Sequence, residues 1–161
     1  MTRMFMFALT NKEDIGMNNN LMFSHKSEEW VTPQDLFDGL NSEFNFTLDV
    51  CSTHENAKCA KHFTKDEDGL LQDWKGETVW CNPPYGRKMV KWIQKCAEHG
   101  RNGWIAVLLI PARTDTKAFH EYIYGRAEIR FIKGRLKFSG QKNNAPFPSM
   151  IVIFGNSEKM E

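Results

Sequence analysis

Three features of the sequence predict a three-layer α/β domain, mostly parallel, with an antiparallel edge strand or hairpin at its end. Strand-like and helix-like segments alternate from Phe44 to Tyr124. The run Trp104–Ile110 is almost continuously apolar and is closed by Pro111, the pattern of a central strand covered on both faces. Short, closely spaced strand-like segments then follow to the end of the chain.

Each element has its own local reason. Residues 1–29 are polar and irregular, with Asn18–Asn20 among them, and read as a loosely held arm. A single domain is expected over 30–156, with a short tail at 157–161. Order begins at WVTPQDLFDGL, where Thr32 suits an N-cap, Pro33 suits the first turn, and Leu36, Phe37 and Leu40 form an apolar stripe. Phe44–Val50 reads as a strand with Asp49 at its end, and Thr78–Cys81 as another, stopped by Asn82-Pro83-Pro84. A helix follows from Gly86 to about His99, with Met89, Ile93, Cys96 and Ala97 on one side. A second helix, capped by Thr114 or Asp115, reaches Tyr124. Ile129–Ile132, Arg135–Phe138 and Met150–Phe154 are predicted strands, the last two separated by the loop-forming SGQKNNAPFPS.

Composition narrows the classes. The chain has 161 residues, 41% of them hydrophobic and 25% charged, an ordinary globular mixture of one-domain size. No apolar run is long enough to span a bilayer, and the N-terminus lacks the pattern of a secretory signal. Four cysteines without an export signal read as reduced thiols in a cytoplasmic protein rather than a disulfide framework. The net charge of +1 hides an asymmetry: residues 1–30 carry −1, residues 31–81 carry −6 and residues 82–161 carry +8. A basic C-terminal half on a near-neutral chain points to a localised anion-facing surface, nucleic acid being the obvious partner.

The distinctive chemistry lies in Asn82-Pro83-Pro84-Tyr85. In a parallel sheet, ligands sit beyond the carboxyl ends of the strands, and Asp49, Asn82 and Pro111 each fall at such an end. Two prolines in succession donate no backbone hydrogen bonds and hold their carbonyls in fixed directions. Asn82 adds a side-chain carbonyl, and Tyr85 a flat ring. The set suits a planar substrate bearing –NH2: two carbonyls accept its two N–H bonds while the ring stacks. An exocyclic amine is a poor nucleophile because its lone pair is delocalised. Accepting both hydrogens out of plane favours a pyramidal nitrogen able to attack an electrophilic methyl group, with no covalent intermediate. The plain alternative is a tight turn carrying a packed tyrosine.

Taken in order, the segments WVTPQDLFDGL, FTLDVCSTHENAKCAKHFTKDEDGLLQDW, VWCNPPYG, LLIPARTDT, IRFIKGRLKF and APFPSMIVIF resemble the phage-type DNA N6-adenine methyltransferases over about Trp30–Gly155. The resemblance implies the class I S-adenosylmethionine-dependent methyltransferase fold, a Rossmann-like three-layer sandwich. It implies S-adenosylmethionine as cofactor and double-stranded DNA as partner. Asn82 and the Pro83 carbonyl would hold the adenine N6, with Pro84 completing the motif and Tyr85 stacking on a flipped base. Thr32 and Pro33 resemble the segment that meets the methionine portion of the cofactor. Asp49 stands in the place of the usual cofactor loop, and Asp68 resembles the acidic position near the cofactor adenine. One departure matters: Asp49-Val50-Cys51-Ser52-Thr53 contains no glycine where related enzymes carry a glycine-rich turn, so Ser52 or backbone amides are expected to substitute. Glu55 is a candidate for the ribose hydroxyls.

Other constellations in the sequence carry less. Cys51, His54, Cys59 and His62 have metal-capable side chains, but they lie in the expected cofactor region at an uncommon spacing; they are read as buried thiols and surface histidines, with no metal. The absence of a Pro-Cys dipeptide removes the usual nucleophile of ring-carbon cytosine methylation, and no phosphate loop is present. Arg113, Lys133, Arg135, Lys137 and Lys142 fall after strands or in late loops and are candidate phosphate contacts. Two competing readings remain. One is methylation of another planar amine: cytosine N4, an RNA base or a glutamine amide. The other is a non-catalytic nucleic-acid-binding module with a methyltransferase-like fold.

Overall fold

The first helix starts just past a proline and stops where an asparagine turns left-handed. In the computed structural model, which describes residues 30–156, α1 spans Gln34–Phe44 directly after Pro33. The Phe37 amide closes the first turn on the Pro33 carbonyl at 3.1 Å. Asn45 ends the helix at φ 54°, its N–H returning to Asn41. The arm expected at 1–29 and the tail at 157–161 lie outside the described residues.

Strand β1 is Leu48–Asp49, β2 Val79–Cys81, β3 Ala106–Pro111, β4 Glu128–Phe131 and β5 Ser149–Phe154. They form one sheet in the order β1-β2-β3-β5-β4, with β1, β2 and β3 parallel and β5 antiparallel to both its neighbours. The antiparallel strand therefore lies inside the sheet, between β3 and β4, rather than at its end. Helix α2, Met89–Arg101, covers one face through Trp92, Ile93, Cys96 and Ala97, packed with Val79, Cys81, Leu108 and Val152. The opposite face of the same strands presents Trp80, Val107, Leu109 and Ile151 to Phe37 and Leu40 of α1 and to Phe138 and Ala145. Helix, sheet and helix make three layers, and β3 is buried along its whole length, as its apolar run requires.

Several predicted elements are shorter than expected, for local reasons. The Phe44–Val50 strand shrinks to two residues because α1 runs through Phe44 and Phe46 turns inward against Phe37 and Trp80. The helix expected to reach Tyr124 contracts to a π-helical turn at Phe119–Ile123. Neither Thr114 nor Asp115 caps it; the Thr116 hydroxyl accepts from the Phe119 amide at 3.2 Å and donates to the Arg113 carbonyl. Arg135–Phe138 is no strand, because β5 already has partners on both sides. This segment instead folds over the sheet, burying Phe138 and forming a single bridge between Ser139 and Val31.

The crossover from β1 to β2 contains no α-helix, only a 3₁₀ turn at Gly69–Leu71. Its backbone is satisfied by side chains instead. The Trp74 indole donates to the Gly69 carbonyl at 2.9 Å, and the Lys95 ammonium, seated 4.5 Å from the Trp74 ring centre, donates to the carbonyls of Gly69, Leu70 and Gln72. Burial of Lys95 lowers its pKa, but these acceptors keep the ammonium ligated. Residues 61–63 run beside β1, with Asp49 N–H to the Lys61 carbonyl and Phe63 N–H to the Asp49 carbonyl, so the sheet's edge is covered there.

Two glycines test this packing with opposite signs. A Cβ on Gly69 would stand 2.1 Å from the Val50 carbonyl oxygen, whereas one on Gly39 in α1 meets nothing within 4 Å. Gly69→Ala is expected to destabilise the fold by about 1–3 kcal/mol. Gly39→Ala should stabilise it by roughly 0.5–1 kcal/mol. Urea unfolding of both variants checks this; shifts of the same sign would contradict the packing described.

Candidate active site

The three parallel strands point their carboxyl ends the same way, and the distinctive residues gather there. Asp49 ends β1, Asn82 follows β2 and Pro111 closes β3. Pro83 is buried, while Asn82, Pro84 and Tyr85 are half-buried. Because β4 runs parallel to β3 and β5 antiparallel, residues 132–148 cross this same edge, and the Ala112 amide ties the β3 exit to the Pro148 carbonyl at 2.9 Å.

The Asn82 carboxamide can be accounted for bond by bond. It has two N–H donors and two acceptor lone pairs. Its Nδ2 donates to the Trp30 carbonyl at 2.7 Å and to the Thr32 hydroxyl oxygen at 3.1 Å. Its Oδ1 accepts from the Tyr85 hydroxyl at 3.0 Å. A backbone carbonyl only accepts, so Trp30 fixes which end of the amide faces it. Among the described residues one capacity is left over, and it is an acceptor: the second lone pair of Oδ1.

Tyr85 is held as firmly. Its hydroxyl also reaches the Leu109 carbonyl at 3.3 Å, and its ring stands edge-on to Phe147 and Phe138, with centres 5.6 and 6.4 Å away. Trp30 meets the same two phenylalanines edge-on. Burial pushes the phenol pKa well up, so Tyr85 is a neutral donor at physiological pH.

Beside Asn82 lies a cavity of about 30 Å³ whose walls include Thr32, Asp49, Ser52, Asn56, Lys58 and Asn82. The buried Asp49 carboxylate accepts from the amides of Cys51 and Lys58 at 3.2 and 2.9 Å, yet desolvation still raises its pKa. Thr53 and Asn56 exchange amide-to-side-chain bonds at 2.7 and 3.2 Å, and the Ser52 amide donates to the Phe63 carbonyl. The amides after β1 are thus spent within the loop itself, which stiffens a turn that has no glycine. The backbone substitution expected for that turn is therefore not available at Cys51, Ser52 or Thr53. The Ser52 hydroxyl is different: it is buried and has no hydrogen-bond partner among the described residues.

The structure thus brings Thr32, Asp49, Ser52 and Asn82 together and leaves other expected residues outside. Pro33 spends its carbonyl on α1. Asp68 sits at φ 52° and caps its own turn, accepting from the Leu70 amide at 3.1 Å. Glu55 is exposed, its carboxylate held below the usual range by its own backbone amide and the Thr53 hydroxyl. Thr32 does not cap α1; its hydroxyl serves Asn82 instead. Asn56 and Lys58 escaped the sequence reading; Lys58 donates to Gln34 Oε1 at 2.7 Å, and burial lowers its pKa. Neither sits in a motif, and only the folded loop turns them inward. A larger hollow of about 850 Å³, between the crossover and α2, contains none of the predicted residues.

Arg113, Lys133, Arg135, Lys137 and Lys142 are all exposed, and none makes an ion pair among the described residues. Phe131 beside them is 63% exposed. The Cys51, His54, Cys59 and His62 side chains do not converge: the two thiols pack against opposite faces of the sheet, and the two imidazoles pair with each other at 2.9 Å. Among the described residues no group of three or more such side chains could hold a metal ion, and no helix is long and apolar enough to cross a membrane.

The Asn82 acceptor and the Tyr85 ring thus stand together at the sheet's carboxyl edge. The chain matches the DNA N-6-adenine-methyltransferase (Dam) family over residues 20–160, and it belongs to that family. It is also 38% identical over 66 residues to the protein named "Putative methyltransferase YfdM" of Escherichia coli (strain K12), covering 36% of this chain and 71% of that protein.

The thiols offer a test of how closed this edge is. Burial, aided by the Asp49 charge, pushes Cys51 and Cys59 up to about 12. Both should be protonated at pH 8 and react with iodoacetamide more than about 100-fold slower than free cysteine, the rate rising through pH 10. Peptide mass spectrometry over a pH series reads this; rapid labelling at pH 7.5 would contradict it.

Proposed function

We propose that this chain transfers a methyl group from S-adenosylmethionine to the N6 amine of an adenine flipped out of double-stranded DNA. The observation that carries the reading is the single unspent acceptor on Asn82, set beside the Tyr85 ring at the sheet's carboxyl edge. The order β1-β2-β3, parallel, followed by an inserted antiparallel strand supports a Rossmann-like, class I arrangement.

The lining of the small cavity fits the cofactor in kind. A buried, unpartnered Ser52 hydroxyl calls for a polar ligand, and Thr32, Asp49, Asn56 and Lys58 surround it with donors and acceptors. About 30 Å³ admits one small polar group, so the bulk of the cofactor would lie across the mouth. When bound, S-adenosylmethionine would supply an electrophilic methyl group, the S–CH3 bond breaking to leave a neutral thioether as the N–CH3 bond forms and N6 gives up one proton.

The chain's own residues prepare the amine. Asn82 Oδ1 accepts one N6 hydrogen, and the Pro83 carbonyl, fixed by the following proline ring, accepts the other. Together they favour a pyramidal nitrogen with a localised lone pair, an arrangement preorganised for the transition state. Tyr85 supports the base, with Phe138 and Phe147 bracing its ring. The five exposed basic residues on the same edge meet phosphates and set register.

The test is labelled methyl transfer to duplex DNA prepared from methylation-deficient cells, with hydrolysis and mass spectrometry of the nucleosides. N6-methyldeoxyadenosine is the expected product, and Asn82→Ala should lower the rate by at least ~100-fold in a folded protein. N4-methyldeoxycytidine, or full activity in Asn82→Ala, would overturn the reading.

A further inference from the structure

The Thr32 hydroxyl sits where a helix cap was expected, yet α1 has no side-chain cap and Thr32 is buried against Asn82. An asparagine side chain turns over by rotation about one bond, and its two ends are chemically opposite. An inverted Asn82 would present N–H to the substrate amine, donor against donor. The orientation is thus a requirement of the amine-accepting role.

We propose that the hydroxyls of Thr32 and Tyr85 are positioning residues that hold the Asn82 carboxamide by its two ends. This rests on the methyl-transfer reading above and adds a role for each hydroxyl. Thr32 takes the second Nδ2 hydrogen, at 3.1 Å, after the Trp30 carbonyl has taken the first at 2.7 Å. Tyr85 gives its one proton to an Oδ1 lone pair at 3.0 Å, with the Leu109 carbonyl a second, longer acceptor at 3.3 Å. With both amide hydrogens and one lone pair engaged, rotation places the Asn82 oxygen against the Trp30 oxygen and forces both hydroxyls to reverse their roles before their bonds can re-form. The ring of Tyr85 supports the base; its hydroxyl serves Asn82.

Thr32 also joins the site to the loop over it. Its carbonyl accepts from the Ser139 hydroxyl at 3.3 Å, and the Val31 carbonyl accepts from the Ser139 amide at 2.9 Å. The strap Trp30–Thr32 thus bonds Asn82 on one side and residues 132–148 on the other.

The experiment compares Thr32→Val, Thr32→Ser and Tyr85→Phe with the wild-type chain. Thr32→Val is close in shape and lacks the acceptor; Thr32→Ser retains it. Thr32→Val and Tyr85→Phe should each lower kcat by about tenfold with little change in KM for DNA, and Thr32→Ser should recover most of the rate. An independent readout is the pair of Asn82 side-chain amide signals in a ¹H–¹⁵N spectrum, assigned by their loss in Asn82→Ala. In the wild type both protons should exchange slowly; in Thr32→Val one of them should shift and exchange faster. Equal loss of rate in Thr32→Ser and Thr32→Val would overturn the proposal. So would a rise in KM for S-adenosylmethionine alone, which makes Thr32 a cofactor contact only. If Thr32→Val does not fold, an unchanged kcat in Tyr85→Phe is sufficient to overturn it. A wild-type chain that transfers no methyl group would defeat the function, while the amide signals still decide the clamp.

Discussion

The Trp30 carbonyl can only accept, and that constraint decides which way the Asn82 carboxamide faces. The bond spans the domain's first described residue and the end of its second strand, so the site exists only once the fold has closed. The Thr32 and Tyr85 hydroxyls could each play donor or acceptor. They fall into line because the Trp30 oxygen is unambiguous: with Nδ2 held there, Thr32 accepts from the amide and Tyr85 donates to it.

The sheet makes that closure possible. Parallel β1, β2 and β3 bring Asp49, Asn82 and Pro111 to one edge, and the antiparallel insertion of β5 returns residues 132–148 across it. The cost of a glycine-free turn after β1 is met within the turn, where Asp49, Asn56 and Phe63 consume the amides. The close backbone approach that glycine permits occurs instead on the opposing segment, at Gly69 against the Val50 carbonyl. Within that turn, what remains unsatisfied among the described residues is the Ser52 hydroxyl, which is where a ligand has something to gain.

Much of this was legible before the fold. The apolar run at Trp104–Ile110 announced the central strand, and two consecutive prolines after a strand announced a rigid edge. Both are local signals that tertiary packing does not reverse. Thr32, directly before Pro33, is a good cap by local rules, but Asn82, far along the chain, claims its oxygen. The segment Arg135–Phe138 alternates like a strand, but it crosses the sheet's face, where Phe138 is buried, rather than lying along the edge at β4. Lys58 and Asn56 could not be found because their position depends on how the crossover folds back. The charge division just before Asn82 acquires a location: its five basic candidates are exposed, and the topology carries them to the edge that Asn82 occupies.

Adenine methylation at this sheet edge, as proposed, depends on a single acceptor on Asn82. Its most direct measurement is a base-modification map of the genome of a methylation-deficient bacterial host expressing either the wild-type chain or Asn82→Ala. The account predicts N6-methyladenine within one short recurrent sequence for the wild type and unmodified adenine for the variant. Identical maps from two folded proteins would contradict it.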